Sequence, residues 1–271
     1  MSSPEAAGEK RGKKKVDMIK RGSYNPTPLG KAVFVGLRAL DPILQYGILA
    51  RGLGSGLLQK LGLNVLPQGL PTQTGTPIDA LGLSPYRLIL LSMAVGSMLK
   101  QNYWLLAISA EEMPPSSAVL IAIFNTVANS LNTLGFICAA TSASLNSGST
   151  FPQASLIVGS TMYVVGIALE LISEIQRSNF KKDPKNKGKA YTGGLWSWAR
   201  HINYGGYSLW RGGFALAAAG WTWGAIVLGF FLYDFTNRAI PVLDDYCSKR
   251  YGDAWTEFKK KTPYQILPFI Y

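Results

Sequence analysis

The sequence predicts an all-α protein, a polytopic membrane helical bundle of about six segments that ends in a helical hairpin. Three observations carry this. Charged residues make up only 15% of the 271 residues while hydrophobic residues make up 48%, and mean hydropathy is +0.13. A soluble domain carries about 25% charged residues. The chain is nonetheless basic, with 27 Lys and Arg against 15 Asp and Glu and a net charge of +12. Most of the basic residues fall in three stretches, 1–31, 177–200 and 238–261, with long apolar runs between them. That segregation argues against an evenly charged soluble enzyme and against a disordered chain, which lacks apolar runs.

Each element follows in order. Residues 1–30 are polar and basic, unlike a secretory leader. With apolar spans downstream, Lys13-Lys14-Lys15 reads as a cytosolic juxtamembrane tail and not as a nucleic-acid signal. Residues 31–52 form a first apolar segment, interrupted by Arg38, Asp41 and Pro42. Residues 53–83 are rich in Gly, Pro and Thr and read as a loop or re-entrant piece. Residues 84–110 form the next segment, with Arg87 near one end and Lys100 inside it. Residues 116–176 contain no Lys or Arg. Pro152 and the Asn146-Ser-Gly run divide them into segments 116–145 and 153–176, each longer than the ~20 residues that cross ~30 Å of hydrocarbon. Residues 207–236 are apolar except Arg211 and Asp234 and break at Gly220, which predicts the hairpin. Its first arm, 207–219, is short and suits a re-entrant position or one covered by neighbours.

Four spans before the 177–206 loop and two in the hairpin place all three basic stretches on one face. The positive-inside rule makes that face cytosolic, with both termini on it. The domain reading is a basic tail at 1–30, N-terminal membrane helices at 31–150 and a C-terminal membrane domain at 151–271.

Several chemistries are excluded. Cys138 and Cys247 are far apart and His201 is the lone histidine, so no metal-ligand constellation or disulfide framework is expected. No GxSxG elbow accompanies His201.

Other residues point to a site. Glu170, Glu174, Arg177 and Lys181 are spaced to share one helix face at the end of an apolar span. They make either an ion-pair ladder at the membrane edge or a functional cluster, because acids within a membrane usually face a cavity or a partner. The basic loop 181–189 suits lipid headgroups or a phosphorylated cofactor. Trp196 and Trp198 suit interfacial anchors. Arg200, His201, Asn203 and Tyr204 offer donors of several geometries, and Gly205 and Gly206 permit close backbone approach. In the tail, Tyr251, Trp255 and Phe258 fall on one face of an amphipathic helix. The apolar end 262–271 is expected to pack back into the fold. Asn125, Asn129 and Asn132 form a polar stripe in an apolar helix. They serve either interhelical hydrogen bonds or the lining of a lipid-substrate cavity.

The run Gln176-Arg-Ser-Asn-Phe180-Lys, then Gly194-Leu-Trp-Ser-Trp-Ala-Arg-His-Ile-Asn-Tyr-Gly-Gly206, resembles membrane sterol C14/C24 reductases and their steroid 5-alpha-reductase-like relatives. The tail from Asp244 through Tyr251-Gly-Asp-Ala-Trp255 to Pro263-Tyr-Gln-Ile-Leu-Pro-Phe-Ile-Tyr271 adds to that resemblance. It covers about residues 170–271. It implies an NADPH-dependent membrane reductase of a lipophilic alkene or enone, sterol-like, in the endoplasmic reticulum, with a cytosol-facing cofactor pocket. In that pocket Arg177, Lys181 and Arg200 would meet phosphate. Trp196, His201, Asn203, Tyr204, Tyr251, Trp255 and Tyr264 would line the cofactor, and Asp244 or Asp245 would hold a polar group of it. Glu174, Glu170 and Tyr163 are the candidate proton donors. The same superfamily includes isoprenylcysteine carboxyl methyltransferases, which share the Arg-His start of the signature and use S-adenosylmethionine. A methyltransferase and a non-catalytic member are therefore the alternatives. Three departures matter: Ile202 for the family proline, Tyr207 for the family acid, and a single arginine, Arg238, before the tail acid. The implied partners are the lipid bilayer and a lipophilic small molecule, and no nucleic acid; the oligomeric state is left open.

Overall fold

The computed structural model describes residues 22–145 and 150–271. The basic tail up to residue 21 and the break at Asn146 lie outside the described residues. Among the described residues the chain is helical, with one isolated backbone bridge, Val65 to Cys138.

Helix α1 spans Pro28–Arg51 and stops at Gly52 in the left-handed region, φ 68°. The expected interruption at Pro42 is absent, and the helix runs through it. A proline removes one intrahelical hydrogen bond, while Asp41 and Gln45 on either side of it bond each other and Asn129 and Ser130 of the fourth helix. The 53–83 segment is ordered. It contains a short helix α2, Ser55–Lys60, and a 3-10 turn, Pro77–Leu81. It is pinned to the end of the fourth helix by Leu66 N–H to Ile137 O and Ala139 N–H to Asn64 O, both 2.8 Å. Asp79 closes the tip of the loop by accepting from Thr74 N–H at 2.9 Å and Gly75 N–H at 2.8 Å. Those N–H bonds, Thr74 first, hold its carboxyl below the usual carboxylate range.

Helix α3, Pro85–Tyr103, continues into a π turn at Trp104–Ile108. Helix α4, Pro115–Ile137, ends earlier than the 116–145 segment predicts. The backbone around Cys138 pairs with the 64–66 loop instead of continuing the helix. Helix α5, Ala154–Lys182, runs past its expected end and carries the acidic–basic cluster with it. Helix α6, Ile202–Asp234, is bent at Ala219–Gly220, where Gly220 takes φ 81°. The bend makes two antiparallel arms, with Gly212 facing Leu228 and Gly224 facing Leu216 across them. The hairpin is as expected, but its first arm starts at Ile202 and is nearly all buried by neighbours. A π turn, Phe235–Ala239, joins the second arm to α7, Ile240–Tyr251. Gly252 then breaks the tail, and α8 spans Asp253–Lys261. The amphipathic tail is thus two helices, although Trp255, Phe258 and Tyr251 still share one cluster with Trp196, Ile202 and Cys247.

Among the described residues four stretches are long and apolar enough to cross a membrane: Pro28–Arg51, Pro115–Ile137, Ala154–Lys182 and Ile202–Tyr251, the last containing the hairpin. The chain is an integral membrane protein of the helical-bundle class. α1, α3 and α4 pack as one group, and α5 packs most extensively on α6. Small residues allow that second pairing. A Cβ on Gly159 or Gly206 would lie 2.6 Å from backbone atoms of the opposite helix, Ala217 N and Glu170 N respectively. The C-terminal end packs back onto the bundle as expected. Arg200 N–H bonds Tyr264 O at 3.0 Å, His201 N–H bonds Gln265 O at 2.7 Å, and Ile266 is buried. The last three residues are exposed.

Candidate functional site

A cavity of about 420 Å³ lies where α4, α5, both arms of α6 and α7 converge. The α5–α6 glycine contact fixes its floor, because Gly206 brings the first arm onto the backbone of Glu170. Glu170, Glu174 and Arg177 line it from α5, and Asn203, Tyr204 and Tyr207 from the first arm. Trp196, Asn125, Asp234 and Arg238 complete its polar wall with Glu111. The apolar wall includes Phe124, Phe230, Phe231 and Phe235. Leu120, Phe124 and Phe230 belong to this lining yet are exposed on the helix surfaces.

The acids are held by specific partners. Glu174 is 3% exposed. It receives Arg177 Nη2 on Oε2 at 2.5 Å and Asn203 Nδ2 on Oε1 at 2.8 Å. Arg177 also lies over the Trp196 ring, 5.3 Å from its centroid, and Trp196 Nε1–H bonds Ser173 O at 2.8 Å. Glu170 is ion-paired to Lys100 Nζ and receives Trp210 Nε1–H at 2.7 Å. Asp234 takes a two-pronged contact from Arg238, 2.7 Å from Nε and 2.5 Å from Nη2. The Tyr204 ring stacks on Phe235 at 4.4 Å and on His201 at 5.6 Å.

The structure brings together part of the expected set. Glu170, Glu174, Arg177, Trp196, Asn203, Tyr204 and Asn125 share the cavity wall. The remaining expected residues lie off it. Tyr163 is buried against Trp210 and Phe214, and its hydroxyl donates to Met93 O at 2.7 Å. Lys181 is exposed beyond the wall. Arg200 points its guanidinium at the tail, to Thr262 O at 2.5 Å and Pro263 O at 3.0 Å. Burial pulls its pKa below the ordinary arginine value, with Asp244 pulling the other way. His201 stacks between Tyr204 and Trp255. Asp244 accepts Trp255 Nε1–H at 2.7 Å, and Asp245 pairs with Lys249 at 2.7 Å on the surface. Tyr251 and Tyr264 border the same aromatic cluster. These groups join the tail to the bundle behind the cavity.

The asparagine stripe divides in the same way. Asn129 Nδ2 donates to Asp41 Oδ2 at 2.6 Å, and Asn132 Oδ1 accepts from Trp223 Nε1 at 2.8 Å. Both serve helix–helix bonds. Asn125 does so too, accepting from Gln101 Nε2 at 2.6 Å and from Arg211, but it also reaches the cavity wall. Sequence reasoning did not assign roles to Lys100, Arg211 or Tyr207. The available signal was their position: Lys100 and Arg211 are cations inside apolar segments, which require partners. Arg211 Nε donates to the Tyr207 hydroxyl at 3.2 Å, and its guanidinium lies 4.3 Å from the centroid of the Trp210 ring.

Comparison with known proteins gives these residues a family. Residues 107–262, more than half of the chain, match the family described as a protein of unknown function (DUF1295). A protein named probable O-methyltransferase, from Ustilaginoidea virens, is 42% identical over 240 residues, 88% of this chain and 84% of that protein. Delta(14)-sterol reductases from Gibberella zeae and Neurospora crassa are 28% and 29% identical over 41% and 43% of this chain. The match covers 33% of each of those two reductases. The chain therefore belongs to the DUF1295 family, within the steroid 5-alpha-reductase-like superfamily of membrane proteins that includes the Delta(14)-sterol reductases.

Proposed function

We propose that the chain is a membrane methyltransferase that binds S-adenosylmethionine and acts on an oxygen nucleophile of a lipophilic small molecule. The charge of the cavity wall carries this reading. Four carboxylates, Glu111, Glu170, Glu174 and Asp234, face two guanidinium groups, Arg177 and Arg238; both arginines are ion-paired and Lys100 pairs with Glu170, which leaves the wall one carboxylate in excess of its cations. A dinucleotide with a 2′-phosphate needs a surplus of Arg or Lys donors. Of the three expected donors only Arg177 is on the wall. That count favours a cofactor without a phosphate. S-adenosylmethionine carries a sulfonium and an ammonium against one carboxylate, which suits a wall with surplus acid. The Phe124 and Phe230 rings of the lining suit a sulfonium. The likeness to the Ustilaginoidea virens protein supports the same choice.

When bound, the cofactor supplies an electrophilic methyl group. The roles of the chain's own residues follow from their partners. Arg177 and Asn203 fix the Glu174 carboxylate to hold a cationic or hydroxyl group. Lys100 and Trp210 fix Glu170 as the carboxylate that takes the proton of the acceptor hydroxyl. The phenylalanine wall excludes water. Exposed Leu120, Phe124 and Phe230 would let an apolar acceptor enter from the bilayer.

A second reading is the NADPH-dependent reduction of a lipophilic alkene or enone, with Glu170 or Glu174 as proton donor. The Trp196–Gly206 run and the tail favour it, since they resemble the sterol-reductase pattern. The two are separated by equilibrium binding to the purified full chain in lipid nanodiscs. Saturable binding of S-adenosylmethionine without binding of NADPH is expected. NADPH binding alone would replace the first reading with the second, and binding of neither would support a non-catalytic member. The endoplasmic reticulum, with both termini cytosolic, is the proposed location. Glycosylation tags at each terminus should remain unmodified.

A further inference from the structure

Residues 22–27 form a strap across two walls of the cavity. On one side the strap meets the loop between α3 and α4. Ser23 Oγ donates to Glu112 Oε1 at 2.5 Å, and Asn25 Nδ2 donates to the same oxygen. The Glu112 N–H returns a bond to Ser23 O at 3.1 Å, and the Met113 N–H bonds Thr27 Oγ1 at 3.0 Å. On the other side the strap meets α7, where Arg250 Nη1 reaches the Tyr24 hydroxyl at 3.5 Å and Gly22 lies beside Tyr246. Both elements carry cavity wall: Glu111 on the loop, Val242 and Leu243 on α7. The strap therefore ties one wall to the other. Its hold on the loop centres on a carboxylate that is only 6% exposed, Glu112.

The sequence leading into the strap is Lys20-Arg21-Gly22-Ser23. Two basic residues, one spacer and a serine suit the acidic peptide groove of a basophilic kinase. Tyr24 is 54% exposed and Asn25 is also exposed, so the segment around the serine is reachable from solvent.

We propose that Ser23 is a phosphorylation site for a basophilic protein kinase, and that phosphorylation releases the strap from Glu112 and loosens the loop that brings Glu111 to the cavity wall. In the step, Ser23 Oγ bonds to the γ-phosphorus of ATP. The bond from that phosphorus to the β,γ-bridging oxygen breaks and ADP leaves, while the hydroxyl proton passes to the kinase's base. The product removes one of the donors to Glu112, the Ser23 hydroxyl. It also sets a charge of about −1.5 to −2 against a buried carboxylate, an arrangement that like-charge repulsion disrupts. Undocking of the strap relieves that repulsion. The inference rests on the cavity walls and not on which cofactor they hold.

The test uses the full chain in nanodiscs, ATP and the catalytic subunit of cAMP-dependent protein kinase. The site is mapped by mass spectrometry, and hydrogen exchange is followed over residues 109–114. Incorporation at Ser23 is expected, with exchange in that loop accelerated by roughly tenfold or more. Both effects vanish in Ser23→Ala. Glu112→Gln is phosphorylated equally but shows no acceleration over its own unmodified form, because its amide can donate to the phosphate. No incorporation at Ser23, unchanged exchange after incorporation, or equal acceleration in Glu112→Gln would each overturn the proposal.

Discussion

Two polar regions lie inside apolar helices of this protein, and they are built to opposite ends. In the α1–α3–α4 group, Arg38 pairs with Asp41 at 3.1 Å with both side chains fully buried. Arg38 Nε also bonds Gln101 Oε1 at 2.7 Å. Gln45 Nε2 bonds Asp41 Oδ1 at 2.8 Å, and Thr133 Oγ1 bonds Gln45 Oε1 at 2.5 Å. Asn129 joins Asp41 to Arg211 on α6. Arg38 Nη2 is the one side-chain nitrogen or oxygen of this set left without a partner among the described residues. Most of that network is shut inside the helices, and it meets the cavity wall where Gln101 and Arg211 reach Asn125 and Arg211 reaches Tyr207. At the α5–α6 wall, Glu174, Arg177 and Asn203 are also paired, but they face about 420 Å³ of space. A polar residue in an apolar helix is thus not a site by itself. It becomes one where the backbone geometry leaves room beside its partners.

The difference can be broken at several points. The largest effect is expected from Asp41→Ala. Removing one partner of a buried pair leaves uncompensated charge and costs about 3–5 kcal/mol. Here Arg38 would lose its acid and Asn129 and Gln45 their acceptor, so thermal unfolding in detergent should fall sharply or the chain should fail to accumulate. Glu174→Gln should behave differently. It keeps an acceptor for Asn203 and leaves unfolding little changed, while the affinity for S-adenosylmethionine falls roughly tenfold through loss of a charge-assisted contact. Equal stability losses in the two variants would erase the contrast. Asn132→Leu removes the acceptor of Trp223 Nε1 and should cost about 1 kcal/mol in unfolding, with ligand affinity unchanged. A drop in affinity would return Asn132 to the substrate side. The smallest effect belongs to Asp245→Asn. Its pair with Lys249 is largely solvent-exposed, and surface pairs contribute about 0–1 kcal/mol, so neither unfolding nor affinity should move measurably.

Much of the architecture is legible from local pattern. The hairpin at Gly220 follows from a break in an apolar run that only glycine's left-handed φ accommodates. The shared face of Glu170, Glu174 and Arg177 follows from helical spacing. The misses have a common cause. Pro42 looked like a break, and 138–145 looked like a continued helix. The first depends on neighbours that hold the turn, and the second on the 64–66 loop, more than sixty residues away, taking backbone bonds near Cys138. The cofactor roles of Arg200 and His201 are a separate expectation, which rests on the resemblance of the Trp196–Gly206 run to the reductase motif. The returning tail engages them at Thr262, Tyr264 and Gln265, which no local pattern announces.

By itself the sequence determined the solvent of this protein, the hairpin at Gly220 and the face of α5 that carries charge. These depend on hydrophobic period and charge segregation, which are properties of neighbours along the chain. The tertiary structure alone decided which charges meet space and which meet each other. Lys100 reaches Glu170 across α3 and α5, and Arg211 reaches Asn125 and Asn129 across α6 and α4. A buried ion takes its partner from whichever helix packs beside it, and that choice is set by the close glycine contacts of α5 on α6 and by the bend at Gly220.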